Sequence, residues 1–159
     1  MVQARQATLA DLDGIMKVEE AWPEHQRATA DMMLSRLKKF PEGFWVFVRG
    51  DEVVGTLTSC PIEYQPTDLG KLTSWDEATH NGYLADIDLA KANALYLVSG
   101  VLRQDVRGGN THSLLIDAPV DLALRLGLRY ILAGAKMPGY DAYCRRYGNL
   151  DAREYAFTI

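Results

Sequence analysis

Apolar residues in the first forty positions recur at helical spacing. Leu9, Leu12, Ile15 and Met16 share one helical face, with Asp11, Asp13 and Lys17 elsewhere. Thr8-Leu9-Ala10-Asp11 reads as the start of this helix: a hydroxyl cap with a carboxylate three residues on, each suited to an orphan backbone N–H. Pro23, just after Trp22, marks its end, and residues 2–7 before it have room for a strand. A second helix is predicted over 29–39, with Met33, Leu37 and Phe40 on its buried side and Pro41 and Gly43 as its stop. The pattern then changes period. Phe44-Trp45-Val46-Phe47-Val48 is too continuously apolar for a half-exposed strand and predicts a central one. Arg49-Gly50-Asp51-Glu52 is a tight turn, and Val53-Val54-Gly55-Thr56-Leu57-Thr58 returns as the partner strand.

Residues 65–92 are polar and punctuated by Pro66, Gly70 and Gly82, with Trp75 and Tyr83 as large apolar anchors. A loop of that length inside one domain points to a functional loop or to an element that the pattern hides. A clear strand follows over 94–102. Arg107-Gly108-Gly109-Asn110 then opens a helix carrying Leu114, Leu115, Ala118, Leu122, Ala123 and Leu126. Pro119 lies inside it and is expected to kink or divide it, because proline donates no helical hydrogen bond. Gly127 reads as the residue just past the helix, and 129–133 as a further strand. The order is β-α-α-β-β-loop-β-α-β-tail. It predicts an α/β (α+β) fold with a sheet covered by helices, and one domain spanning 1–159 with a long loop at about 65–92.

Composition narrows the function. The 159 residues are 48% hydrophobic and 24% charged, enough for a core, and 17 Lys+Arg against 21 Asp+Glu give net charge −4. That balance argues against a nucleic-acid partner, which calls for a basic field. No apolar run approaches the ~20 residues that cross a bilayer, and the opening Met1-Val2-Gln3-Ala4-Arg5 lacks a signal-peptide stretch. A cytoplasmic protein without a membrane partner is the expectation. Cys60 and Cys144 have no CxxC companion, and His25, His80 and His112 lack ligand spacing, so no metal is expected.

The informative segment is the strand, Arg-Gly-Gly turn and helix between Val101 and Leu115. Two glycines let the backbone approach a ligand closely. The helix start then presents unsatisfied N–H groups and a positive dipole end, which together suit a phosphate or pyrophosphate. The same segment also reads as a plain turn that uses glycine for geometry alone. Neither Gly-x-x-x-x-Gly-Lys-Ser/Thr nor Gly-x-Gly-x-x-Gly occurs, which sets aside the P-loop and the dinucleotide-binding fingerprint.

This order of elements resembles the GNAT superfamily of acyl-CoA-dependent N-acyltransferases. The likeness runs from Arg5 through the 44–58 hairpin to the strand-turn-helix at 95–126 and the strand at 129–133. It implies a central, mostly antiparallel mixed sheet flanked by helices. In that family an Arg/Gln-x-x-Gly-x-Gly/Ala segment binds the coenzyme A pyrophosphate through backbone amides. The corresponding string here is Arg107-Gly108-Gly109-Asn110-Thr111-His112, running into Ser113, with Asn110 and His112 where the family has small residues. The resemblance also implies acyl-donor contacts from the strand backbone at Gly100, Val101 and Leu102.

In that family a tyrosine after the last strand often serves as the acid for the thiolate; the resemblance makes Tyr140, Tyr143 and Tyr147 candidates, with Tyr140 and Tyr143 the expected catalytic pair. The family spacing, with Gly148 as its glycine, puts Cys144 at the usual tyrosine position. Each tyrosine reads equally as an ordinary core aromatic. Asp86, Asp88, Glu77 and His80 are candidate bases, with His80 also readable as solvated surface. His25 looks less relevant to the chemistry, and both cysteines read as small buried apolar residues.

Ser74-Trp75-Asp76-Glu77, Gly82 and the string 134–140 resemble a subgroup that includes domains fused to nitrilase-like amidohydrolases. After Ala135 there is room for one helix near 140–147 and one strand near 155–159, where the family continues with a helix and two strands. A short or truncated C-terminal part is therefore expected, with an open sheet edge that invites a homodimer. The resulting expectation is transfer of an acetyl group from acetyl-CoA, as cosubstrate, to the amine of a small molecule or amino-acid-like acceptor in a ternary complex. The alternatives are a non-catalytic CoA- or acyl-binding module and an enzyme using long-chain acyl donors.

Overall fold

In the computed structural model the described residues are 1–67, 74–106, 111–134, 137 and 139–157, with the side chains of Thr111 and His112 outside the description. The strands are β1 (Gln3–Gln6), β2 (Phe44–Arg49), β3 (Glu52–Ile62), β4 (Ala94–Leu102) and β5 (Tyr130–Ala133). They form one sheet in the order β1-β2-β3-β4-β5. Every neighbouring pair is antiparallel except β4 and β5, which run parallel through a helical crossover. The mixed, mostly antiparallel sheet that the family resemblance implies is the one observed.

The helices are α1 (Leu12–Glu19), α2 (Ala30–Lys39), α3 (Trp75–Thr79), α4 (Thr111–Arg125), α5 (Tyr140–Tyr147) and α6 (Ala152–Ala156). Successive β2 side chains point to opposite faces, and both faces are covered. Phe44 and Val46 pack with Ile15 and Val18 of α1 and Met33 and Leu37 of α2. Trp45 and Phe47 pack on the other face with Leu57, Leu95 and the α4 residues Leu122 and Ala123. Coverage on two sides is why this strand reads as an unbroken apolar run.

Four local expectations are revised. Leu9 lies in a short 3-10 turn ahead of α1 and is exposed rather than on the apolar face. The Thr8–Asp11 pair works in one direction: Asp11 Oδ2 accepts from the Thr8 N–H at 2.8 Å and from its hydroxyl at 2.9 Å, while the Asp11 N–H bonds to the Thr8 carbonyl. Helix α4 runs through Pro119 without dividing. The pyrrolidine ring is buried, so its packing offsets the missing hydrogen bond. Near the end, a strand was expected over 155–159, but Tyr155 and Ala156 belong to the helical turn 152–156, and 158–159 lie outside the described residues. Asp151 caps that turn by accepting from the Arg153 N–H at 2.8 Å, and Tyr155 is buried beneath it. The α5 boundaries, by contrast, are those that the sequence pattern predicts.

Candidate active site

Two irregularities meet on β4. The β3–β4 register shifts between Thr58 and Ser59: Thr58 pairs with Ser99 and Ser59 with Leu97, which leaves Val98 as an extra residue in β4. On the other edge, β5 pairs only as far as Leu97 with Ala133, so residues 98–102 run beyond their parallel neighbour. The Val98 carbonyl is taken instead by a side chain, Trp75 Nε1 donating to it at 2.7 Å. The sheet therefore opens at Val98, and a cleft of about 1290 Å³ lies over the opening.

Residues from α1, α2 and the segment between them line one part of this cleft, and β4, α3, α4 and the end of β5 line others. Val98, Ser99 and Gly100 line it together with Glu19, Trp22 and Arg36. Glu19 and Arg36 are 2% and 1% exposed. Both sit on apolar helix stripes, Glu19 next to Val18 and Arg36 between Met33 and Leu37. The Glu19 carboxylate accepts from the Ala28 N–H at 2.9 Å through Oε2, while Oε1 is buried without a hydrogen-bond partner. Burial raises its pKa, partly countered by the Ala28 N–H and by Arg36 and Arg27.

Arg36 Nε donates to the Gly82 carbonyl at 2.8 Å and Nη1 to Thr58 Oγ1 at 3.4 Å, while Nη2 is buried without a partner. Burial pushes the guanidinium pKa down to about 10, against the pull of Glu19.

The long loop owes its shape to α2. Ser35 Oγ, Arg36 Nε and Lys39 Nζ donate to the carbonyls of Tyr83, Gly82 and Leu84 at 2.6, 2.8 and 2.7 Å. His80, Asn81, Gly82 and Leu84 all have positive φ, a costly run for residues with side chains. Those carbonyl bonds and the buried Leu84 side chain hold it in place. At Gly82, φ is +85°, and an added Cβ would lie 2.9 Å from Trp75 Cη2, 3.1 Å from Arg36 Nη2 and 3.3 Å from Met32 Sδ. The loop thus carries Trp75 to the β4 bulge.

The candidates from the sequence separate across the molecule. Arg107, Gly108, Gly109 and Asn110 lie outside the described residues. Thr111 and His112 form the first backbone positions of α4, followed by exposed Ser113. The Val101 and Leu102 side chains are buried in opposite cores, and Gly100 borders the cleft.

Tyr140 and Tyr143 form an aromatic cluster with Tyr155, at centroid distances of 5.2 Å each, and neither borders this cleft. The Tyr140 hydroxyl donates to the Leu150 carbonyl at 2.6 Å, and burial raises its pKa. Cys60 is buried, which pushes its thiol up to about 12, while Cys144 is only half-buried. The Cys60 environment thus moves its thiol away from the reactive thiolate form.

Glu77, His80, Asp86 and Asp88 border a second cleft of about 900 Å³ on the far side of α3, together with Glu63 and Asp76. His25 lies at the rim of the β4 cleft, nearer the site than its sequence context suggests. Glu19 and Arg36 escape a search for motifs. Their signal in the sequence is a charged residue at a core-facing position of an amphipathic helix.

No family model matches the chain. It is 27% identical over 150 residues to the probable hydrolase YhcX of Bacillus subtilis (strain 168), covering 94% of this chain and 28% of that protein. It is 23% identical over 144 residues to the uncharacterized N-acetyltransferase YkwB of the same organism, covering 87% and 62%. The chain thus spans less than two thirds of either relative. Among solved structures, the GphF GNAT-like decarboxylase in complex with isobutyryl-CoA superposes with a TM-score of 0.74 at 25% identity, covering 91% of this chain and 71% of that one.

Proposed function

We propose that this chain, a GNAT-fold protein, is an acyltransferase that moves an acetyl group from acetyl-CoA to the amine of a small molecule or amino-acid-like acceptor. One observation carries the reading: the β4 bulge at Val98 and the early end of β5 open the sheet at a cleft bordered by main chain. Backbone N–H and C=O groups at such an opening suit an extended amide-bearing thioester arm, and N–H groups suit the oxygen that gains charge during acyl transfer.

The acceptor nitrogen bonds to the thioester carbon and gives up a proton. The C–S bond breaks, and the departing thiolate takes a proton, leaving an amide and free CoA. Trp75 positions the opening by holding the Val98 carbonyl. Residues 107–110, with the backbone amides of Thr111, His112 and Ser113, are the proposed pyrophosphate site, and the main chain at Val101 and Leu102 is proposed to continue the donor track. Neither tyrosine lines the cleft, and Tyr140 directs its hydroxyl to Leu150, so we propose Tyr143 for the thiolate proton, a role that requires α5 to move toward the cleft when the donor binds. A dimer through the β5 edge belongs to the same proposal.

A second reading is decarboxylation of an acyl thioester, which the likeness to the GphF decarboxylase favours. There a carbon–carbon bond breaks, carbon dioxide leaves, and the α-carbon takes a proton.

Acetyl-CoA at 100 times its Kd stabilises the folded state by about 2.7 kcal/mol, or roughly 5–10 °C in midpoint for a chain of this size. ATP at the same concentration is expected to leave the midpoint unchanged. Release of free thiol on adding amines then supports transfer, whereas carbon dioxide from malonyl-CoA without thiol supports the second reading. Tyr143→Phe is expected to lower turnover at least tenfold with acetyl-CoA affinity unchanged. An unchanged turnover removes the acid assignment.

A further inference from the structure

Among the described residues bordering the β4 cleft, two side chains of opposite charge each keep a buried polar atom without a hydrogen-bond partner. Glu19 Oε1 comes from the last residue of α1, and Arg36 Nη2 comes from the neighbouring helix α2. Burying such an atom without a partner is costly, and more so for a charged group. Native proteins keep few such groups, and those they keep ask for an explanation.

The other charged residues bordering the cleft are differently placed. Arg27 donates to the carbonyls of Trp22 and Glu20 at 2.9 and 3.0 Å, and Asp76 and His25 are exposed. Nearby, Trp22, Leu57, Tyr96 and Leu132 give the wall an apolar character.

We propose that Glu19 and Arg36 form the head-group subsite for an apolar α-amino acid, with Glu19 Oε1 accepting from the ammonium and Arg36 Nη2 donating to the carboxylate. This rests on the acyltransferase reading above and names the acceptor class for that same site. A simple amine satisfies Glu19 and leaves Arg36 unmatched, and a simple carboxylate does the reverse. Sites built for a polar group discriminate strongly against analogues that lack it. A ligand that carries an ammonium and a carboxylate on the same carbon offers a partner to each.

Buried Arg36 Nη2, Met32 Sδ and Trp75 Cη2 all lie within 3.3 Å of the point where a Gly82 Cβ would stand. An unbranched methionine re-packs readily. Met32 is therefore the cover that yields when the head group enters.

The test titrates the intact protein, with and without CoA, by calorimetry. The probes are L-phenylalanine, L-leucine, phenethylamine, which lacks the carboxylate, and 3-phenylpropanoate, which lacks the amine. L-Phenylalanine is expected to bind at least tenfold tighter than either single-charge analogue. Glu19→Gln is expected to weaken L-phenylalanine and phenethylamine at least fivefold while leaving 3-phenylpropanoate within twofold. Equal binding of L-phenylalanine and phenethylamine, or no binding of either amino acid, overturns the subsite.

The two readings fail separately. Selective L-phenylalanine binding without acylation of any amine leaves the subsite standing and removes the transfer reading. Equal acylation of L-phenylalanine and phenethylamine at matched affinities keeps transfer and removes the subsite.

Discussion

The two clefts on either side of α3 teach different lessons about charge. The acidic one gathers Glu63, Asp76, Glu77, Asp86 and Asp88, with Lys91 set against Asp88 at 3.3 Å. Its charges are numerous, but water solvates them, and the Asp86 side chain is fully exposed. The β4 cleft contains fewer charges, yet Glu19 and Arg36 are almost wholly removed from water and each retains an unmatched atom. A charge in water interacts weakly with anything, whereas a buried charge must be matched by protein or ligand. Charge count therefore picks out the first cleft, and unmet hydrogen-bonding capacity picks out the second.

Charge removal should separate them most sharply. Arg36→Met strips the bonds to Gly82 and Thr58 and leaves Glu19 uncompensated, so a loss of about 3–5 kcal/mol is expected by urea unfolding. Asp86→Asn with Asp88→Asn should stay within about 0.5 kcal/mol. Equal losses would remove the distinction.

Gly82→Ala tests whether the wall between the clefts is as tight as the distances indicate. Positive φ and contact with Trp75, Arg36 and Met32 together predict a loss of roughly 1–3 kcal/mol. An unfolding midpoint equal to the parent would mean that the loop gives way freely.

The smallest effect concerns a carboxylate matched by its own protein. Asp11 accepts from both Arg5 terminal nitrogens, at 2.8 and 2.6 Å, and from Thr8. The Arg5 hydrogen bonds lead in lowering its pKa from 3.8 to about 2. A depressed folded pKa stabilises above the unfolded value and loses that stabilisation as pH falls. The contribution is therefore whole above about pH 4 and fades toward pH 2. With Arg5 about half exposed, it amounts to roughly 1–2 kcal/mol. Asp11→Asn should flatten the unfolding free energy between pH 4 and 2 by that amount.

Much of the architecture was legible from local pattern. The 44–58 hairpin, the 94–102 strand and the helix at 30–39 lie where periodicity and breakers put them, and the helix at 140–147 lies where the remaining length left room for one. Each is encoded over a few neighbouring residues whose apolar side chains leave one solution. The revised elements depend on distant partners. Pro119 stays in one helix because its ring is buried, and 152–156 turns helical around a capped, buried Tyr155. The site was the least legible part. Glu77, His80, Asp86 and Asp88 attract attention as chemistry-bearing residues, but they face the other cleft.

By itself, then, the order of residues determined the periods, the turns and the helix caps, because those arise between neighbours a few positions apart. Tertiary structure alone decided that Val98 would bulge against Thr58 and Ser59, and that Trp75 would cross 23 positions of chain to hold its carbonyl. It also decided that Glu19 and Arg36 would border one cleft. Burial and unmet hydrogen bonds belong to the packed chain: a carboxylate on a helix stripe becomes a binding group only when surrounding elements take its water away and leave one oxygen unanswered.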